Sequence, residues 1–79
     1  MPCFIRVIQR LGVKLPTDPV FNEWLERELM REFTADTHEE LRTNITYYEM
    51  YRPEELKEVV RRLLEKWQKR RLKEEALIV

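Results

Sequence analysis

The chain has 79 residues, 43% of them apolar and 38% charged, and its 15 Lys and Arg balance 15 Asp and Glu to a formal net charge of zero. That composition excludes a disordered chain and predicts a single domain over residues 1–79, near the lower size limit for a self-sufficient core. No apolar run approaches the roughly 20 residues of a membrane span and no signal peptide is visible, which with one cysteine, Cys3, leads us to expect a reducing, cytoplasmic setting.

The first apolar segment is ambiguous. Phe4, Val7, Ile8 and Leu11 follow helical spacing, Pro2 suits a helix start and Gly12 suits its end. A strand over Cys3 to Ile8 competes, because Ile5, Val7 and Ile8 are β-branched. Helix is the preferred reading. After a connection broken by Pro16 and Pro19, Asp18 reads as an N-cap with Pro19 as the first helical residue. The helix that follows is predicted to run to about Phe33, burying Val20, Phe21, Trp24, Leu25, Leu29 and Phe33, with Glu23 and Arg27 paired along its outside.

Thr37 and Glu40 have the spacing of a capping box. Leu41, Ile45 and Tyr48 then suit a short helix, whereas the Thr, Ile and Tyr content of residues 43–51 suits a strand equally well. The tyrosines Tyr47, Tyr48 and Tyr51 are expected at the edge of the core, base stacking being the competing use. Pro53 then opens the dominant element, in which Leu56, Val60, Leu63 and Trp67 repeat at helical spacing, flanked by Val59 and Leu64. The fold class expected is mainly α, with three to four helices and a long C-terminal one. The alternative order is β-α-β-α.

Little points to chemistry. There is no serine and one glycine, so a serine triad and a glycine-rich phosphate loop are both excluded. Cys3 with His38 is the only thiol–imidazole combination, and Glu28 and Glu32 form a carboxylate pair four apart on one helix face beside Trp24. Neither carries a catalytic or metal assignment, and no cofactor or small-molecule substrate is indicated. The scarcity of Ser, Gly, Asn and Gln, beside abundant Glu, Lys and Arg, resembles thermophile composition.

Charge is segregated along the chain. Acids dominate between Asp18 and Glu40, and cations between Lys57 and Lys73. Arg62, Lys66, Lys69 and Lys73 fall within about 60° of one another on a helical wheel, with Arg70 alongside. The core-facing positions after Trp67 are Arg70, Arg71 and Glu74, so residues 68–79 are expected to overhang the core as a docking arm ending in the apolar Leu77, Ile78 and Val79. Leu77, Ile78 and Val79 are therefore the expected partner-binding residues, and the expected function is a helical interaction protein, either a homo-oligomer or an accessory subunit. The alternative is a nucleic-acid-binding regulator contacting phosphates through Arg62, Lys66, Lys69, Arg70 and Lys73.

Overall fold

The computed structural model describes the backbone of residues 3–78 and the side-chain environment of residues 4–73. Four helices make up the domain: α1 (Cys3–Arg10), α2 (Pro19–Glu32), α3 (His38–Tyr51) and α4 (Pro53–Ile78). No strand occurs among the described residues, so both ambiguous segments are helical and the β-α-β-α order does not arise. Packing explains the choice. In α1, Phe4, Ile5, Val7 and Ile8 are all buried while Arg6 is exposed. A strand would have placed Arg6 on the same face as Phe4 and Ile8. In α3, alternation would have grouped the buried Ile45 with Thr43 and Tyr47, both exposed, whereas the four-residue spacing groups it with Leu41.

The helix boundaries follow local chemistry. Asp18 caps α2, accepting a 3.0 Å hydrogen bond from the Val20 amide, and Pro19 opens the first turn. Thr37 caps α3, accepting from the Glu40 amide at 3.1 Å. The reciprocal half of the expected capping box differs: the Glu40 carboxylate accepts from the amide of Asp36 at 2.9 Å, one residue further back. Arg52 alone separates α3 from α4. Pro53 disfavours helical geometry at the residue before it, and Arg52 takes φ −140° and ψ 54°. Gly12, at φ +89°, ends α1 as its position suggested.

The end of α2 carries a conformational cost. The Thr34 amide donates to the Arg31 carbonyl at 3.3 Å and the Ala35 amide to the Met30 carbonyl at 2.8 Å, the two bonds of a Schellman motif. The left-handed position in that motif usually belongs to glycine. Here Thr34 occupies it at φ +53°. Buried Ala35 and partly buried Met30 supply the apolar contact that holds the turn together.

One core unites the four helices. α4 packs on α3 and α2, and α1 packs on α3. From α4, Leu56, Val60, Leu63 and Trp67 are buried, with Val59 and Leu64 partly so. From α2 come Phe21, Trp24, Leu25 and Leu29. Val20, expected among them, is 64% exposed, because it points roughly 115° away from the centre of that buried face. Phe33 is only half-buried, at the opposite margin of the same face. Glu23 and Arg27 form no ion pair, contrary to expectation.

Among the described residues of α4, Trp67 is the last that is buried, and residues 68–73 are all exposed. The helix has 26 residues, about 39 Å at 1.5 Å per residue, and the molecule's longest dimension is 44 Å against 25 and 21 Å across. Replacing Thr34 with glycine is predicted to stabilise the domain by about 1 kcal/mol. The check is a thermal melt, in which the midpoint should rise by roughly 4–8 °C. A lowered midpoint would mean that the left-handed turn imposes no strain on Thr34.

Candidate functional site

An open groove of about 850 Å³ lies between α2 and the part of α4 around and beyond Trp67. Trp24 and Glu28 of α2 form one side, and Lys66, Lys69, Arg70 and Lys73 of α4 form the other, with Leu72 at the margin. The wall is anchored by an aromatic cluster. Trp24 and Trp67 lie 5.1 Å apart between ring centroids, and Phe21 meets Trp67 edge-on at 5.3 Å. Leu63 is buried in the same core cluster as both tryptophans.

Two polar contacts shape the groove. Glu28 points between Phe21 and Trp24 on the helical wheel, roughly 35° from the centre of the buried face of α2. Its side chain is therefore only 15% exposed, and Lys66 of α4 answers it at 3.6 Å. The Arg70 guanidinium carbon stands 5.8 Å from the centroid of the Trp67 ring, a cation–π contact that covers the outer edge of the core. Beneath it, the Trp67 indole nitrogen is buried without a hydrogen-bond partner among the described residues. Such an unmet donor costs about 1–3 kcal/mol.

Of the five cations expected to form a stripe, Lys66, Lys69, Arg70 and Lys73 come together here, and Arg62 does not reach the groove. Leu77 and Ile78 fall within the backbone span of α4, but their side chains, like the whole of Val79, lie outside the described residues. No family model matches the chain, and neither the curated proteins nor the solved structures contain a match. The chemistry of the site therefore rests on its own residues.

Two groove residues were missed by sequence reasoning in this role. Trp24 was assigned wholly to the core, yet its edge lines the groove. Leu72, 66% exposed, escaped attention because it faces away from the buried stripe. The signal available for it was a single leucine set among Arg70, Arg71, Lys73 and Glu74.

The remaining candidates lie apart. His38 reaches Glu26 of α2 through Nδ1, tying the start of α3 to its neighbour, while the Cys3 side chain is outside the described residues. Tyr47 and Tyr51 depart from their expected place at the core edge. They are 50% and 65% exposed and stack on each other at 5.0 Å, because both point away from the Leu41–Ile45 face. Only Tyr48 keeps to the core edge, half-buried against Phe33 at 4.8 Å. Next to Tyr47, Arg52 contacts Glu55 at 3.1 Å, and that carboxylate raises the guanidinium pKa further above its already high ordinary value.

Truncation of Trp67 tests the anchor. Trp67→Ala is predicted to cost about 3–5 kcal/mol. Trp67→Phe should cost much less, since it keeps a ring in the cluster and removes the unmet donor. Chemical denaturation of both variants decides this. Equal losses would show that the ring contacts with Phe21 and Trp24 contribute little.

Proposed function

We propose that this chain is a protein-docking module whose α2–α4 groove, together with the part of α4 beyond Trp67, engages a second copy of itself. The observation carrying this reading is the groove at the point where α4 leaves the core. It combines an indole edge and an exposed leucine with four cations of one helix. Apolar residues ringed by charge on a concave surface are a recurring composition for a partner site.

Charge supplies the choice of occupant. Exposed Glu23, Glu32, Asp36 and Glu39 gather on α2 and the start of α3, and none has an ion pair among the described residues. Lys69, Arg71 and Lys73 on α4 are likewise exposed and make none. Laid across a two-fold axis, the basic end of one copy meets the acidic surface of the other, and the exchange is reciprocal. In this reading the apolar sequence Ala76-Leu77-Ile78-Val79, whose side chains lie outside the described residues, belongs to the same docking segment. A cytoplasmic setting belongs to the same proposal, supported by the single cysteine.

Light scattering on the purified chain tests this. The wild type should give about twice its 9.8 kDa mass at high micromolar concentration. Leu72→Glu, and separately deletion of residues 76–79, should each shift the mass toward the monomer while helical content is kept. A monomeric wild type overturns self-association and leaves the accessory-subunit reading, with a different chain as occupant.

Nucleic acid is the competing destination for the basic stripe. Lys66 already faces Glu28 and Arg70 already lies over Trp67, which leaves Arg62, Lys69 and Lys73 to contact phosphates. With about three duplex phosphates neutralised, log affinity against log salt should fall with a slope near −2.7. Duplex titration at several salt concentrations measures it. Binding with that slope by a monomeric wild type would favour the nucleic-acid reading over docking.

A further inference from the structure

On another surface, a smaller cleft of about 380 Å³ separates α1 from α3, and three arginines line it: Arg6 and Arg10 of α1, and Arg42 of α3. Four-residue spacing puts Arg6 and Arg10 on one face of α1. Arg10 is fixed at one end, where its Nε and Nη2 donate to the two carboxylate oxygens of Glu49 at 3.2 and 3.3 Å. That fork leaves three of its five N–H donors unused. The guanidinium groups of Arg6 and Arg42 have no hydrogen bond or ion pair among the described residues. One carboxylate therefore answers three guanidinium groups, and the cleft keeps an excess of two positive charges.

We propose that this cleft binds the phosphoryl group of a small phosphate monoester. The chemistry of the lining selects that class. Guanidinium forks match phosphate oxygens in geometry, and two uncompensated cations match a dianion, whereas a carboxylate would neutralise only one. The Thr46 hydroxyl, also at the cleft, is already committed as a donor to the Arg42 carbonyl at 2.8 Å, so the arginines are the donors that remain. The volume lies within the range of small-molecule sites, about 300–1,000 Å³, and exceeds what a bare phosphate fills. Phe4 and Val7, at the base of the cleft, offer an apolar margin to the organic part of the ester. Because α1 and α3 supply the site, it is independent of the groove between α2 and α4.

The test is titration of the isotope-labelled full chain with inorganic phosphate, AMP and adenosine, followed by amide and arginine Nε resonances. Phosphate and AMP should produce saturable shifts centred on residues 6, 10 and 42, and adenosine should not. AMP binding tighter than phosphate identifies an ester as the ligand. Equal affinities overturn the ester and reduce the site to one for the phosphate ion. Arg6→Gln and Arg42→Gln, both at exposed positions with unchanged melting expected, should each weaken AMP by about tenfold or more. Lys69→Gln in the other groove should leave it unaltered. Absence of saturation, shifts centred on α4, or equal weakening by Lys69→Gln each overturn the proposal, the last by showing diffuse charge attraction instead of a site.

Discussion

The edge-on contact of Phe21 with Trp67, closed on the other side by Trp24, is the constraint on which the rest of the domain depends. α1 ends after eight residues and α3 buries only Leu41 and Ile45 completely, so neither brings enough apolar surface to hold a core alone. α2 and α4 bring the tryptophans, and the ring cluster fixes where those two helices meet. Glu28 is drawn inward by the same geometry, since its direction falls between Phe21 and Trp24. The ion pair with Lys66 is thus a product of the packing. Its partly exposed lysine limits its value to at most about 1 kcal/mol.

Much of this architecture was legible in the residues because local chemistry and long-range packing agree. Asp18-Pro19, Thr37 and Pro53 place helix starts where they are found, and the stripe from Leu56 to Trp67 is buried as its spacing requires. Other features depend on context that a periodicity does not contain. Residues 3–11 fit two secondary structures until Arg6 needs an exit to solvent. Val20 and Tyr47 have the right chemistry for a core and the wrong angle. Thr34 has no local signal for a left-handed conformation. Its φ is imposed by the requirement that Ala35 reach back to Met30. The basic wall of the groove was visible as a stripe of charge, whereas the opposing Trp24 edge depends on how α2 crosses α4.

The distribution of charge has a physical meaning beyond its zero sum. Among the described residues, Arg10–Glu49, Lys66–Glu28 and His38–Glu26 each join two helices, and of these Lys66–Glu28 links the basic segment of the chain to its acidic one. Among the described residues, what stays unanswered is grouped: Lys69, Arg71 and Lys73 beyond Trp67, acids around the end of α2, and Arg6 and Arg42 above α1 and α3. Grouped charges create local potentials that a neutral total conceals, and each such region attracts ligands of the opposite sign.

The continuation of α4 past Trp67 also bears on how the helix forms. An isolated peptide of that length would rarely be helical in water, because the first turn must be ordered before any hydrogen bond repays it. Here the core-bound turns from Leu56 to Trp67 act as a permanent nucleus, so each following residue needs only elongation. Residues 68–73 then persist as helix through backbone bonds and the favourable propensities of Gln, Lys, Arg and Leu. They form a zipper with one closed end. The opening free energy of its amides should fall residue by residue toward the C-terminus, while those under the ring cluster open only with the whole domain.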